Sequence, residues 1–439
     1  MTPRPAPKES SGPPETRVRS PRRKDVRSWG PALGDTCANI CFVVKIWIVS
    51  SSYPTSPRES INAGVLSRHL AISLRDRGHK VSVVTPEKPT PTRFDEGLEG
   101  HVIPWFSPLL AMADLRPSRR PADGIRICTL MLNGHRMMRS TARSAPPDGI
   151  IAVWGLPSGL FARTAAHESG APYCVWLLGS DVWRAPSLPG GVRFLSAVIR
   201  ESAAAFANSS DLAERAKAMT GLPVEYLPSV RRLPDGARED PTTDLVYVGR
   251  LHHNKGPDVL VEALHIAARQ GVRPKTEIYG SGEMQGSLQG QISRFGLSST
   301  VTLAGLIAAA PLAVALRSAS YLVIPSRIDS TPLVLGDAIQ ARVPMLATDV
   351  GDTGALVRRF RLRKLVKPGD PRELAAGVID VLKPPATGPS PQLPDWSGAA
   401  ELMSPETAID RFLSEFRGEN SRVRRPRVSR RVPGDQSHA

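Results

Sequence analysis

Residues 321–357 read YLVIPSRIDSTPLVLGDAIQARVPMLATDVGDTGALV, and the order of apolar and polar runs within them decides the fold class. An apolar run at 321–324 stops at Pro325 and Ser326 and gives way to a polar turn containing Asp329, Ser330 and Thr331. Pro332 then opens a segment with helical spacing through Leu333, Val334, Asp337, Ala338 and Ala341. A second apolar run follows at 344–347, and after it Asp349, Gly351 and Gly354. The predicted order is strand, turn, helix, strand, turn, the unit of an α/β fold. In such a unit the free N–H groups and partial positive charge of the helix N-terminus face the carboxyl edge of the sheet, where an anion can sit. Asp329 precedes that helix and Asp337 lies eight positions on, about two turns, so the two carboxylates frame one site.

Working outward, the same alternation recurs upstream. A strand at 244–248 runs into Gly249 and Arg250, with Lys255 and Gly256 five and six residues beyond the arginine, and a helix at 257–269 has proline near its start. A strand at 275–279 meets Gly280, Ser281, Gly282 and Glu283, a turn suited to close backbone approach. A strand at 301–303 and a helix at 309–318 complete the approach to the opening stretch. Downstream come a helix at 372–382, a Pro-rich crossing at 384–394 and a last helix at 405–416.

The N-terminal half carries its own series. A β-branched run at 42–49 predicts a strand buried on both faces of a parallel sheet. Gly64 then stands at the mouth of a helix that closes at Gly78, and a strand follows at 81–85. Gly64 serves either backbone approach to a phosphate or a turn conformation. Residues 87–146 give a weak pattern: a short strand ending at 104–106, an Arg-rich loop at 116–126 and a helix through Leu130 and Met137. A strand at 149–154, a helix at 157–167 and a strand at 172–178 lead to Gly179, Ser180 and Asp181, which form either ligand contacts at a strand's carboxyl end or an Asx turn. A short strand near 205–207 and the cap residues 208–210 precede a helix at 212–219.

Length and composition fit two cores. A chain of 439 residues with 41% apolar content exceeds a single ordinary domain. The predicted organisation is a disordered basic tail at 1–39, a first Rossmann-like domain at 40–225 and a linker at 226–243. A second such domain at 244–385, a crossing segment with a terminal helix at 386–417 and a second basic tail at 418–439 follow. Of the net charge of +16, about +5 falls in the first thirty residues and about +4 in the last stretch, so more than half sits in Pro-, Ser- and Arg-rich tails without hydrophobic periodicity. That distribution argues against nucleic acid as the partner and leaves peripheral contact of the tails with an anionic membrane as a second role for the charge. Cys37, Cys41, Cys128 and Cys174 have neither zinc spacing nor the density of a disulfide framework, which predicts a reduced, cytoplasmic setting. The run at 41–49 is too short to span a bilayer.

Taken together, YVGRLHHNKGPDVLVEAL at 247–264, IYGSGE, IPSRIDSTPLVLGDAIQARVPMLATDVG and LVKPGDPRELAAGV resemble the ordered motifs of the family 4, or group 1, glycosyltransferases. INAGVLSRHLAISLRDRGHKVSVVT and LLGSDVW resemble that family's first-domain glycine loop and cleft element. The resemblance covers roughly residues 44–416. It implies a GT-B architecture: two Rossmann-like, doubly wound domains facing a central cleft. It also implies a retaining, metal-independent transfer of a sugar from a nucleoside diphosphate to a lipid, polysaccharide or metabolite, without a cofactor. Arg250 and Lys255 would stabilise the diphosphate leaving group, with N–H groups near Gly64 as further donors, and Asp329 would contact the donor sugar. Asp337 would hold the nucleotide ribose, Gly280, Gly282, Ser330 and Thr331 would line the donor site, and Ser180 and Asp181 the acceptor side. The sequence departs from the family pattern at both acidic positions, where aspartates replace glutamates, and at Leu178, where many members carry histidine. It departs again at Arg342, where a left-handed conformation would cost arginine about 1 kcal/mol. The rival reading is a GT-B-like subunit that binds without turnover.

Overall fold

The computed structural model describes residues 43–54, 64–86, 97–103, 121–383 and 393–418. The tail at 1–39, the strand end at 104–106, the Arg-rich loop up to 120 and residues 419–439 lie outside them. The first half contains β1 (Lys45–Ser50), α1 (Val65–Asp76), β2 (Lys80–Pro86), β3 (Glu99–Ile103), α2 (Pro121–Ser144), β4 (Gly149–Val153), α3 (Ser158–Ser169), β5 (Tyr173–Leu177), α4 (Ser180–Trp183), α5 (Gly191–Glu201), β6 (Ala204–Ala207), α6 (Ser210–Thr220) and β7 (Glu225–Tyr226). The second contains β8 (Thr243–Val248), α7 (Pro257–Arg269), β9 (Thr276–Tyr279), α8 (Gln285–Arg294), β10 (Val301–Gly305), α9 (Ala309–Arg317), β11 (Ala319–Ile324), α10 (Leu333–Gln340), β12 (Met345–Thr348), α11 (Gly351–Arg359), β13 (Arg363–Val366) and α12 (Pro371–Leu382), and the chain closes with α13 (Trp396–Leu402) and α14 (Pro405–Arg417).

The strands form two sheets, ordered β3-β2-β1-β4-β5-β6-β7 and β10-β9-β8-β11-β12-β13, with every pairing parallel. Parallel strands need helical crossovers, which cover both faces and make the strands apolar throughout. Side chains alternate along β1 accordingly: Trp47 and Val49 enter one core cluster, Ile46 and Ile48 the other. The same division separates Val246 and Val248 from Leu245 and Tyr247 along β8. Two Rossmann-like sheets with helices on both faces are the predicted fold class.

α14 returns to the first sheet. Phe412 is fully buried there, its ring edge-on to Trp176 and Phe206 at centroid distances of 5.4 Å, and burying such a side chain contributes about 1.5–3 kcal/mol. Arg411 adds an ion pair to Glu225 of β7 at 2.8 Å. Elements that the sequence hides are β7 at the edge of the expected linker, α8, α11, β13 and α13. Among the described residues no helix is long and apolar enough to cross a membrane.

Candidate active site

Each sheet reverses its strand order once, between β1 and β4 in the first and between β8 and β11 in the second. At such a reversal the connections leave for opposite faces of the sheet, and the carboxyl edge there is where ligands of open α/β sheets bind. Lys255 follows β8, Asp329 follows β11, and the Lys255 ammonium is ion-paired with Asp329 Oδ2. Asp329 is also held by Ser326, whose Oγ donates to Oδ2 at 3.2 Å, and by the Ser330 N–H, which donates to Oδ1 at 3.1 Å.

Glycine makes this meeting possible. Gly256 has φ +64°, and a Cβ on it would lie 2.0 Å from Pro325 O, so the turn carrying Lys255 packs backbone to backbone on the turn carrying Asp329. The N–H groups of Arg327 and Ile328 donate to Asn254 O at 2.8 and 3.2 Å. Arg327 forks onto Asp258 in the first turn of α7, at 2.8 and 2.7 Å. Burial pushes the Asp258 carboxyl up, but Arg327 and the helix N–H groups outweigh it and hold it below the usual carboxylate value. Arg250 is exposed at the same edge. The second sheet therefore carries Arg250, Lys255 and Asp329 at its carboxyl edge.

The glycines of the β9 turn serve backbone packing. A Cβ on Gly280 would fall 1.8 Å from Gly249 O and one on Gly282 2.4 Å from Leu251 O, so the turn lies directly against the segment that carries Arg250. Gly64 has an ordinary negative φ, and a Cβ there would meet Tyr53 Cα at 2.7 Å. It allows the loop after β1 to touch the start of α1.

Three expected site residues are turned inward. Asp337 is fully buried, and both its oxygens are taken by Arg231, Nε to Oδ1 at 2.8 Å and Nη2 to Oδ2 at 2.5 Å; it does not offer the crevice a carboxylate for a ribose diol. Asp181 is buried with its carboxylate on the N–H groups of Gly155, Gly179, Val182 and Leu178, at 2.7, 2.9, 3.2 and 3.3 Å, so it ties the ends of β4 and β5 together as an Asx-type turn does. Burial raises its pKa against those four donors. Thr331 donates to Asp352 Oδ2 at 3.2 Å. Ser180 stays exposed at the lip of the first sheet, and Ser330 is half-buried beside Asp329.

Asp352 is a site residue that the sequence does not single out. In the first turn of α11, it accepts from the Ser210 N–H at 2.9 Å and from Ser210 Oγ, so the start of α6 in the first half is joined to the Asp329–Thr331 turn of the second. Leu333 at the start of α10 packs against the first-half cluster containing Tyr53, Trp154 and Leu227. The carboxyl edges of the two sheets thus meet around the same turn.

Residues 242–384 match the family model described as glycosyl transferases group 1, and residues 63–236 match the glycosyl transferase 4-like domain. The chain belongs to the group 1 glycosyltransferases. The glycosyltransferase is 25% identical over 368 residues to a putative teichuronic acid biosynthesis glycosyltransferase, TuaC, of Bacillus subtilis, covering 76% of this chain and 88% of TuaC. Its fold is similar to that of sucrose-phosphate synthase from Thermosynechococcus elongatus, with a TM-score of 0.65 at 16% identity, over 86% of this chain and 99% of the other. It is also similar to Anabaena HepE, solved with UDP and glucose, with a TM-score of 0.61 at 16% identity, over 85% and 100% of the chains. These likenesses establish the GT-B fold of the glycosyltransferase, which the two facing parallel sheets express.

Proposed function

We propose that the protein is a retaining, metal-independent glycosyltransferase that takes its sugar from a nucleoside diphosphate, with the Lys255–Asp329 pair at the β8/β11 crevice as the observation that carries the reading. Lys255 and the exposed Arg250 supply two positive charges to the diphosphate as it leaves, a contribution that grows as charge develops in the transition state. Gly64 and the α1 N-terminus add N–H donors from the first sheet. The Gly280–Gly282 turn, with Ser330 and Thr331, shapes the donor side, and Asp329 meets the sugar hydroxyls beside the anomeric carbon. Ser180 stands on the acceptor side. The bond between the anomeric carbon and the β-phosphate oxygen breaks, the acceptor oxygen bonds to that carbon on the same face, and the acceptor proton passes to the leaving phosphate.

That HepE binds UDP makes UDP-sugars the first donors to try. The free thiols of Cys128 and Cys174 support a cytoplasmic setting, and the basic tails support contact with the inner face of an anionic membrane. The test is release of nucleoside diphosphate from a panel of nucleotide sugars, with lipid, polysaccharide and small-molecule acceptors, in the presence and absence of EDTA, and with the product anomer read by NMR. Turnover that survives EDTA and keeps the donor's anomeric configuration supports the proposal. Inversion or a metal requirement overturns the corresponding part, and donor binding without turnover of any donor identifies a binding subunit.

A further inference from the structure

We infer that Arg231 and Asp337 act together as positioning residues that index the donor-side helix to the segment joining the two halves, and that Asp337 is not a nucleotide ligand. The joining segment is held from both sides. Its beginning belongs to the first sheet: the Leu227 N–H donates to Ala207 O at 2.9 Å, Trp176 Nε1 donates to Leu227 O at 3.0 Å, and Asn208 Nδ2 donates to Ser229 Oγ at 3.4 Å. Its continuation belongs to α10. Arg231 forks onto Asp337, Gln340 Nε2 donates to Arg231 O at 2.8 Å, and the Leu233 N–H donates to Gln340 Oε1 at 2.9 Å. A Cβ on Gly336 would sit 3.1 Å from Val230 Cγ1, so helix and segment are in direct contact there as well.

Residues 336, 337 and 340 share one side of α10, and all three grip the segment. The N-terminus of the same helix follows the Asp329–Thr331 turn. The pair therefore sets how far along its axis α10 stands relative to the first sheet, and with it where Asp329 meets whatever the first half holds. A carboxylate redirected to a ribose would give up both of its hydrogen bonds to the Arg231 guanidinium, whose side chain is 4% exposed. Positioning of this kind acts on the step that needs both halves, which is transfer. Donor binding draws mainly on the second sheet, with the first adding N–H donors near Gly64, and is touched less.

The inference rests on the nucleoside-diphosphate reading proposed above, and the experiment separates the two. UDP, ADP and GDP and their 2′-deoxy counterparts are titrated calorimetrically into the full chain, wild type and the variants Asp337→Asn, Arg231→Gln and Arg231→Lys, alongside steady-state kinetics. The expected result is a kcat lower by about tenfold or more in Asp337→Asn and Arg231→Gln, partial recovery in Arg231→Lys, and nucleotide Kd values within about threefold of wild type. The preference between ribo- and deoxyribonucleotide stays at the wild-type ratio in all of them. Should a single variant fail to fold by circular dichroism, the doubly apolar Arg231→Met/Asp337→Leu replaces it, because removing both charges leaves neither stranded. Loss of that preference together with weakened binding in Asp337→Asn, not reproduced by Arg231→Gln, overturns the inference alone. Wild-type protein that binds none of the nucleotides overturns the donor reading and this inference with it.

Discussion

Lys255 in the turn after β8 is ion-paired with Asp329 in the turn after β11, across the point where the second sheet reverses its strand order. The lysine side chain is 23% exposed and the aspartate 9%, so the pair is shielded enough for charge to act strongly yet open enough for a ligand to reach the ammonium. Lys255→Ala is expected to lower kcat by about a hundredfold, the scale seen when one charge-stabilising donor is removed from a transition state. Lys255→Arg should recover part of the loss, since a guanidinium keeps the charge with different geometry. Steady-state assays with the best donor provide the check, and an unchanged kcat in Lys255→Ala would remove the lysine from the reaction.

The Arg327–Asp258 pair anchors the turn that carries Asp329, and it ties the site to pH. Because the folded-state pKa of Asp258 lies below the ordinary value of 3.8, the stability it contributes is fully present above that value and is lost as pH falls through the folded pKa. Arg327→Met removes the guanidinium that opposes burial, so the carboxyl moves up and the stability that Asp258 loses as pH falls becomes smaller. Thermal melts from pH 7 downward should show a deficit of about 1–2 kcal/mol at pH 7 that narrows as pH falls through the folded pKa of Asp258, where the wild type loses the same contribution. No deficit at pH 7, or a deficit that stays constant down the acid limb, would show that the pair does not anchor the turn.

Arg342 closes α10 with φ +54°, in the left-handed region that L side chains avoid. The Val343 N–H donates to Ala338 O at 2.9 Å and the Arg342 N–H to Ile339 O at 3.1 Å, a helix end of the kind that glycine usually occupies. The Arg342 side chain is exposed, so little packing offsets the strain. Arg342→Gly should raise stability by about 0.5–1 kcal/mol, read as a higher urea midpoint at constant slope. A lower midpoint would mean that the arginine makes a contribution on the surface larger than its backbone cost.

Much of this arrangement is legible in the chain, for reasons that also explain what is hidden. Strands buried on both faces are continuous apolar runs, so β1, β5, β8 and β11 announce themselves, and Lys255 and Asp329 can be placed at strand ends. The edge strand β13 reads RKLV, half polar because half exposed. α8 buries only Leu288 and Ile292 along ten residues, which is too narrow a stripe to show against its polar background. α11 is disguised by turn residues that are there for contact: a Cβ on Gly351 would strike Asp329 O at 2.5 Å, and one on Gly354 would strike Asp349 Oδ1 at 1.8 Å. Asp337 and Asp181 look available because a sequence gives a carboxylate no direction. Arg231 is one of two adjacent arginines in a Pro-rich connection, and nothing local tells which of them turns inward to meet a partner 106 positions away.

The contact between Ser210 and Asp352 joins the first half to the Asp329–Thr331 turn, and its loss should be felt in both stability and turnover. Asp352 is 4% exposed and accepts from the Ser210 N–H, the Ser210 hydroxyl and the Thr331 hydroxyl, while its own N–H donates to Ser330 O at 3.3 Å. Asp352→Ala leaves these donors without their acceptor, at a cost of about 2–3 kcal/mol in urea unfolding. Ser210→Ala removes one donor and keeps the backbone N–H, so about 1 kcal/mol is expected. Residues sharing one network are not independent, and Ser210→Ala/Asp352→Ala should be little worse than Asp352→Ala alone. The same cycle read in kcat shows whether the contact also aligns the two halves for transfer: a coupled loss in both single variants supports this, and stability losses with wild-type kcat would confine the contact to folding.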